Sequence, residues 1–170
     1  DGNDPVCYQF NGEDAYVDLS SDDRGVVDQV SVSAWVKTTD DKRQFIVCKY
    51  YSEEDKGYFL AVDDGKALIG GRNGSGAFFQ CYSSAVINDG KWHHLVGIID
   101  GNNWEIWVDC SLDNTLQSPN ATTLLTNSHP MTIGNWPEGE GLGNGRFFNG
   151  LIDEIRVYNK PLVMDDILLL

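Results

Sequence analysis

Long hydrophobic runs are absent from this sequence. A membrane-spanning helix needs about 20 consecutive apolar residues, and the 170 residues contain no run that approaches this length. The sequence also lacks a secretory signal peptide, which combines a basic start with a short apolar stretch, and it begins with Asp1 rather than Met. We therefore expect no insertion into a membrane, and we interpret the chain as a processed or excised form.

Basic residues are scarce relative to acidic ones. The sequence has 12 Lys and Arg against 26 Asp and Glu, which gives a formal net charge of −14. Proteins that bind nucleic acid rely on clustered Lys and Arg, so this class of function is excluded. A surface rich in carboxylates favours solubility and suits a cation such as calcium, although most of these carboxylates are expected to face only water.

Closely spaced cysteine pairs are also missing. The four cysteines contain no CxxC motif, which argues against a zinc site. An even count without a metal motif favours an oxidising compartment, and two N-glycosylation sequons favour secretion. We expect Cys48 and Cys81, which both fall in predicted strands, to form a disulfide. For Cys7 and Cys110 three states stay open: a disulfide with each other, free thiols, or a link between two chains.

Glycines and short alternating runs make up much of what is present. The sequence has 18 glycines, with 41% hydrophobic and 11% aromatic residues, a composition that supports a folded core. About a dozen short runs are separated by turn residues roughly every eight to twelve positions, which is typical of a β-sandwich. No repeat or linker interrupts them, so residues 1–170 are predicted to form one domain. A polar connection is predicted over 111–128 and a short helical turn over 165–170.

The segment Asp89–Cys110 organises the predicted sheets. Two runs rich in β-branched and aromatic residues flank a turn at 100–103, which indicates a β-hairpin. In the second run Trp104, Ile106 and Val108 share one face, whereas the first run is apolar on both faces. We therefore expect this hairpin to lie centrally and its first strand to be covered on both sides.

A series of segments resembles a known family. They are SVSAWVKT, DGKWHHLVGIIDG, WEIWVD, MTIGNW and FFNGLIDEIRVYNKPL. The series is similar to the laminin-G-like jelly roll, a family akin to pentraxins and legume-type lectins, and the similarity runs from about Cys7 to Leu162. It implies an all-β fold, an antiparallel two-sheet jelly-roll β-sandwich of the concanavalin A-like kind. This superfold carries lectins, adhesion modules and glycosidases, so the resemblance leaves these functions open.

Catalysis is not expected. Glycosidases of this fold place two carboxylates on one strand, where both face one sugar. Here Glu105 and Asp109 share a face, with Trp107 between them. Carboxylates four strand residues apart are separated by roughly 13 Å, whereas retaining hydrolysis needs about 5 Å and inverting hydrolysis up to about 9.5 Å. The chain also lacks a nucleophile elbow. It is therefore predicted not to be an enzyme, with glycoside hydrolysis the least favoured function.

Two acidic loops form the candidate metal site. In the pentraxin-like pattern that the sequence resembles, calcium ligands come from two loops, which correspond here to 52–57 and 135–145. Calcium takes six to eight oxygen ligands from carboxylates, amides and carbonyls. The predicted metal ligands are Glu53, Glu54, Asp55, Glu138 and the carbonyl of Pro137. Trp136 stands where that family has an acidic ligand, so we expect one calcium ion rather than two.

Trp136 is also the candidate platform for a sugar. A calcium ion with open positions can bind vicinal hydroxyls, and an aromatic ring beside it can stack on the apolar face of the sugar. Galactose has the most continuous face of this kind, so terminal galactose is the predicted ligand. The predicted sugar-binding residues are Trp136, Asn135, Asn144 and Glu140. In the alternative interpretation Trp136 only anchors its loop and the acidic residues only face water.

The sequence therefore predicts a secreted, calcium-dependent lectin that binds glycans. The alternative is an extracellular adhesion module that binds protein partners, which a broad exposed apolar patch would favour. We also expect a homodimer, because multivalency raises the avidity of lectins and the sheet edges of this fold permit pairing.

Overall fold

The computed structural model describes residues 7–21, 26, 28–51, 54, 56–72, 77–118, 126–137 and 146–170. Within these residues the chain forms twelve β-strands and one short helix. In chain order they are β1 (Tyr8–Asn11), β2 (Val17–Asp18), β3 (Gln29–Lys37), β4 (Gln44–Cys48), β5 (Gly57–Asp63), β6 (Lys66–Arg72), β7 (Phe78–Val86), β8 (His93–Asp100), β9 (Asn103–Val108), β10 (Ser111–Gln117), β11 (Thr132–Ile133), β12 (Asn149–Tyr158) and α1 (Met164–Ile167). No helix in these ranges is long and apolar enough to span a membrane.

The strands form two sheets that pack face to face. The first sheet has the order β1-β12-β3-β8-β9-β10 and the second has the order β2-β11-β4-β5-β6-β7. Every pairing between these strands is antiparallel. The chain repeatedly crosses from one sheet to the other, as at β3 to β4 and β7 to β8, and one hydrophobic core lies between them. The predicted two-sheet jelly-roll β-sandwich is confirmed.

Alternation along β3 explains how the core is filled. Four apolar side chains at every second position are fully buried between the sheets: Val30, Val32, Ala34 and Val36. On the neighbouring strand β8, Gly97 lets the sheets approach closely, since a Cβ atom there would lie 2.7 Å from the side chain of Ile69 on β6. Valine side chains of β3 therefore fill this part of the core between the sheets, and Gly97 marks a place where the two sheets approach closely.

The predicted central hairpin consists of β8 and β9. β8 pairs with β3 on one side and with β9 on the other. Leu95 and Ile99 of β8 face the core between the sheets, whereas Val96 and Ile98 face a separate cluster that contains Ile167 of α1. The strand is therefore covered on both faces, as its sequence predicts, and α1 packs on part of the outer face of the first sheet.

The main error of secondary structure lies after this hairpin. The segment 111–128 is predicted to be a polar connection, but Ser111–Gln117 forms β10 and pairs with β9 at the edge of the first sheet. Its side chains are mostly exposed, so no buried alternation marks the strand. The carboxylate of Asp113 instead accepts hydrogen bonds from the backbone N–H groups of Ser84 and Ala85 at 2.6 and 3.0 Å. These contacts attach the polar edge strand to β7 of the other sheet.

The predicted disulfide between Cys48 and Cys81 is wrong, and all four cysteines are free. Two strands lie between β4 and β7, which at about 4.8 Å per strand separates these residues by roughly 14 Å. A disulfide needs Cα atoms within about 7 Å, and the two side chains also face opposite sides of the sheet. Cys7 precedes β1 and Cys110 follows β9, with three strands between them, so this pair is also too distant.

Candidate functional site

The outer face of the second sheet is apolar. On β5, Tyr58, Leu60 and Val62 face the core, whereas Phe59 and Ala61 face outward. The outward cluster comprises Phe45, Cys48, Tyr50, Phe59, Ala61 and Leu68, with Tyr82 and Trp136 packed against it. A sheet that only faced water would carry polar residues on this side. No helix in the described part of the chain covers it, in contrast to the first sheet under α1.

A cavity of about 280 Å³ opens on this face. The described residues that line it are five aromatic residues and three arginines, namely Phe45, Tyr50, Phe59, Phe78, Trp136, Arg43, Arg72 and Arg146. We call it the aromatic–arginine pocket. Phe78 is 42% exposed, so one ring at the mouth of the pocket is open to a ligand.

The rings of the pocket hold one another in place. Trp136 stacks on Phe45 and on Tyr50, with ring centroids 5.8 and 6.4 Å apart. Phe78 lies 5.6 Å from Tyr50 and 6.0 Å from Phe59. Aromatic pairs at such distances contribute about 0.5–1.5 kcal/mol beyond their buried area. Trp136 therefore anchors its loop on the sheet and forms part of the pocket wall at the same time.

Three guanidinium groups lie among these rings. Each has its central carbon over one ring: Arg146 over Trp136 at 4.8 Å, Arg43 over Phe59 at 5.8 Å and Arg72 over Phe78 at 5.8 Å. Such cation–π contacts hold a positive charge against an apolar wall. Nε of Arg72 also donates a hydrogen bond to the hydroxyl of Tyr50 at 3.1 Å. The pocket thus combines flat apolar surfaces with fixed positive charge.

Among the described residues, few hydrogen bonds or ion pairs compensate the charge of Arg43. Nε and Nη2 of Arg43 are buried and have no hydrogen-bond partner among the described residues. The carboxylate of Asp63 is 3.8 Å from this Nε, and it accepts a hydrogen bond from the hydroxyl of Tyr82 at 2.8 Å. Burial and the nearby charge of Arg43 hold the pKa of Arg146 below its usual value. Arg146 nevertheless keeps its positive charge, because arginine side chains stay protonated in proteins.

A second cavity of about 620 Å³ adjoins the pocket, and Arg43 and Arg146 line both cavities. Its lining is mainly polar and consists of Asn11, Gly12, Glu13, Asp40, Lys42, Arg43, Gln44, Arg146, Phe147 and Asn149. We call it the polar cavity. The two arginines therefore stand at the junction of an aromatic space and a polar one.

Two of the predicted sugar-binding residues lie within the described residues. Trp136 lines the aromatic–arginine pocket. Asn135 is 1% exposed, and its backbone carbonyl accepts a hydrogen bond from Oγ1 of Thr132 at 2.7 Å, which fixes the turn before Trp136. The other candidates fall outside the described residues: Asn144 and Glu140 for sugar, and Glu53, Asp55 and Glu138 for metal.

Glu54 and Pro137 are the predicted metal ligands that the structure describes. Oε1 of Glu54 accepts hydrogen bonds from the backbone N–H and the hydroxyl of Ser128 at 3.1 and 2.5 Å, and it lies 3.4 Å from Nε2 of His129. The hydroxyl of Ser128 is the main cause of the lowered pKa of Glu54. Among the described residues no group of three His, Cys, Asp or Glu could hold a metal ion. These residues alone do not fit a calcium ion, and Glu54 serves to attach its loop.

The two carboxylates considered for catalysis take part in local contacts of the first sheet. Glu105 accepts hydrogen bonds from Asn103 Nδ2 at 2.6 Å and from Trp107 Nε1 at 2.9 Å. Asp109 lies 2.9 Å from Nδ1 of His93 and accepts a hydrogen bond from the backbone N–H of His94 at 2.9 Å. Both lie on the other sheet from the aromatic–arginine pocket.

Sequence reasoning found Trp136 but missed the rings and arginines around it. One signal was present in β5, where GYFLAVD is apolar at both odd and even positions, as in the first strand of the central hairpin. Such a strand needs cover on both faces, which predicts an apolar surface outside the core. The meeting of Arg43, Arg72 and Arg146 has no comparable signal, because separate segments bring them together only in the folded chain.

The fold and this outer face define a concanavalin A-like β-sandwich with a candidate ligand pocket. The pattern of the laminin G family, described as the concanavalin A-like lectin/glucanases superfamily, matches residues 11–168. The chain belongs to this family, and the resemblance noted in its sequence is confirmed.

Solved structures share the fold at low sequence identity. Domains LG4-5 of the mouse laminin α1 chain align with a TM-score of 0.74 and 18% identity, over 96% of this chain and 44% of that chain. The CBM40 of the Ruminococcus gnavus IT-sialidase, bound to α2,3-sialyllactose, aligns with a TM-score of 0.71 and 15% identity, over 96% of this chain and 97% of that chain. At these identities the likeness shows the fold alone.

Curated relatives match about half of the chain. The basement membrane-specific heparan sulfate proteoglycan core protein of Mus musculus is 29% identical over 92 residues, or 54% of this chain. The N,N-dimethylformamidase β subunit of an Alcaligenes species is 26% identical over 104 residues, or 59% of this chain. The chain spans only 2% and 14% of the length of these proteins, so both matches concern one part of a longer protein.

Proposed function

We propose that this chain is a carbohydrate-binding domain and that the aromatic–arginine pocket is its sugar site. The observation that carries the proposal is an open cavity of about 280 Å³ on a sheet face, where the exposed ring of Phe78 and the ring of Trp136 lie over the buried rings of Phe45, Tyr50 and Phe59. Small-molecule sites start at about 300 Å³, so this space suits one sugar ring better than a peptide. Aromatic rings bind the apolar face of a sugar, and the arginines donate hydrogen bonds to its oxygens.

The comparisons support carbohydrate binding as a class of function. A domain with the same fold, the sialidase CBM40, is bound to sialyllactose. We also propose binding without cleavage, because Glu105 and Asp109 are engaged in local hydrogen bonds away from the pocket. An oligosaccharide that binds should therefore stay intact during incubation with the protein. Hydrolysis that Glu105→Gln abolishes would show instead that the protein is a glycoside hydrolase.

A glycan array with variants of the pocket tests the site. Phe78 is the ring at the mouth, so Phe78→Ala should weaken sugar binding about 5- to 30-fold, which corresponds to about 1–2 kcal/mol of lost contact. Trp136→Ala should weaken binding at least as much, because it also removes the support of the wall. Tyr8→Ala is the matched control, since Tyr8 is 61% exposed on β1 of the other sheet. Equal binding by Phe78→Ala, Trp136→Ala and the control would place the sugar elsewhere.

Calcium dependence and a preference for galactose are the finer part of the proposal. Tyr50, which precedes the loop 52–57, and Trp136, near the start of the loop 135–145, have ring centroids 6.4 Å apart. This closeness of the two rings supports a shared ion. The candidate ligands are Glu53, Glu54, Asp55, Glu138 and the carbonyl of Pro137. A bound calcium ion would offer open positions to sugar hydroxyls, and binding measured with calcium and with chelator tests this part.

An extracellular location and a homodimer complete the proposal. The match to a basement membrane proteoglycan supports the first. Four edge strands, β1, β10, β2 and β7, end the two described sheets, and edge strands can pair between copies. Sedimentation analysis over a range of protein concentrations should show a dimer, and a monomer at all concentrations would contradict it.

A further inference from the structure

Positive charge is concentrated at one place on an acidic chain. The sequence has five arginines and a formal net charge of −14, yet three of the arginines line the aromatic–arginine pocket. Like charges that lie close together repel one another. Among the described residues Asp63 forms the ion pair with Arg43, at 3.8 Å, and the carboxylates of Glu13 and Asp40 line the polar cavity on the other side of the arginine. A neutral sugar would leave this excess charge in place.

Arg43 also has hydrogen-bonding capacity that the described protein does not use. Its buried Nε and Nη2 lack hydrogen-bond partners among the described residues, whereas buried donors in folded proteins are almost always paired. The Asp63 carboxylate is too distant for a hydrogen bond, at 3.8 Å from Nε, and it already accepts the hydroxyl of Tyr82. An acceptor supplied by a ligand would satisfy these groups, and an anionic acceptor would do so most strongly.

Arg146 complements Arg43 at the same point. It lies over Trp136 at 4.8 Å, and both arginines line the aromatic–arginine pocket and the polar cavity. A negative group between them would contact two guanidinium groups at once. The aromatic wall would lie on one side of that group and the polar cavity of about 620 Å³ on the other.

We propose that the ligand is an acidic saccharide whose carboxylate lies between Arg43 and Arg146. The ring that carries the carboxylate packs against the aromatic wall near Phe78, and the next sugar of the chain lies in the polar cavity. Amide and carboxylate side chains there, including Asn11, Asp40 and Gln44, suit neutral hydroxyl groups. The arginine pair contacts the carboxylate directly, whereas the calcium ion proposed above would contact hydroxyl groups of the saccharide.

The direct test compares acidic sugars with their own methyl esters on the unaltered chain. Titration calorimetry with the methyl glycosides of N-acetylneuraminic acid and glucuronic acid distinguishes two sources of the carboxylate. We expect at least one acid to bind about 10-fold or more tightly than its ester, because hydrogen bonds to charged partners are the stronger ones. Equal affinity of acid and ester for both sugars would overturn the proposal.

Variants then assign the preference to the arginine pair. Arg43→Gln and Arg146→Gln each remove a guanidinium group and should reduce the ratio of acid to ester affinity about 5-fold or more. Arg156→Gln is the matched control, because Arg156 lies on β12 of the other sheet and pairs with Glu154. An unchanged ratio in both pocket variants would refute the assignment. Melting temperatures of all variants show whether each one folds.

The inference rests on the proposed function, and the two can fail separately. If neutral sugars bind and respond to Phe78→Ala, but acid and ester bind equally, the pocket remains a sugar site and the acid preference is wrong. If neither acidic nor neutral sugars respond to Phe78→Ala, the pocket is not the sugar site and both proposals are wrong.

Discussion

Gly70 lies directly beneath one ring of the aromatic–arginine pocket, so Gly70→Ala is expected to disrupt the pocket wall. A Cβ atom at this position would lie 2.4 Å from Cζ and 2.8 Å from Cε2 of Phe59. Phe59 is 1% exposed, and its ring centroid lies 5.0 Å from that of Phe45 and 6.0 Å from that of Phe78. The ring therefore cannot move aside without displacing its neighbours.

Two opposing effects set the magnitude of this change. Replacing Gly by Ala at a compatible backbone position stabilises a protein by about 0.4–1 kcal/mol through the unfolded chain, and Gly70 is not among the residues with positive φ. Overpacking a filled core costs about 1–3 kcal/mol. Because every close contact involves the confined ring, overpacking should dominate. We expect a net loss of about 1–2 kcal/mol in the free energy of unfolding, or about 2–8 °C in Tm.

A double-mutant cycle in urea tests the cause. Phe59→Leu removes the ring atoms that the new Cβ would contact, so the two changes together should cost about 1 kcal/mol less than their sum. Gly70→Ala combined with Ile152→Val is the control, because Ile152 is buried on β12 of the other sheet, and it should be additive within about 0.5 kcal/mol. Additive behaviour of the Phe59 pair, or no loss of stability in Gly70→Ala, would refute the reasoning. Sugar affinity should fall with Gly70→Ala and recover in part in the Phe59 pair.

Three further predictions concern electrostatics. Burial lowers the pKa of His93, but hydrogen bonds to Asp109 and Asp89 outweigh it and raise the pKa. These contacts with protonated His93 stabilise the folded state. Their contribution is complete below the ordinary pKa of about 6.5 and is lost as pH rises through the raised pKa. Asp109→Asn should therefore reduce the change of the urea unfolding midpoint with pH between about pH 6 and 8. Asp113→Ala leaves two backbone N–H groups of β7 without their acceptor and should cost about 1–3 kcal/mol in urea unfolding. Asp55→Asn and Glu138→Gln should each weaken calcium binding in calorimetry and reduce any rise of Tm with calcium; unchanged calcium binding in both would place the ion elsewhere.

The fold is predictable from the sequence where side chains are buried in a regular pattern. β3 and β8 follow such patterns, because each inward position must be apolar to fill the space between the sheets. β10 has no such pattern, because backbone pairing and the Asp113 carboxylate hold it at an exposed edge. The error on Cys48 and Cys81 has a different cause, since the sequence places both in strands but does not contain the order of strands in the sheet.

The candidate site is predictable only in part for the same physical reason. Trp136 stands out because a large aromatic residue in an acidic loop departs from the pattern of the family. Arg43 and Arg146 do not stand out, because each lies in an ordinary polar segment beside a strand. Their role in the site follows from the aromatic ring beneath each arginine and from the distance of Arg43 to Asp63. Both depend on how the loops fold over the sheet.

The position of α1 has a consequence for how this domain would be presented to its surroundings. Cys7, before β1, and Leu170, after α1, both lie with the first sheet, whereas the pocket opens on the outer side of the second. A segment joined after Leu170 would therefore attach on the side opposite to the pocket. A row of such domains could therefore be tethered along one side while every pocket points outward, so that one surface could engage many ligands at once.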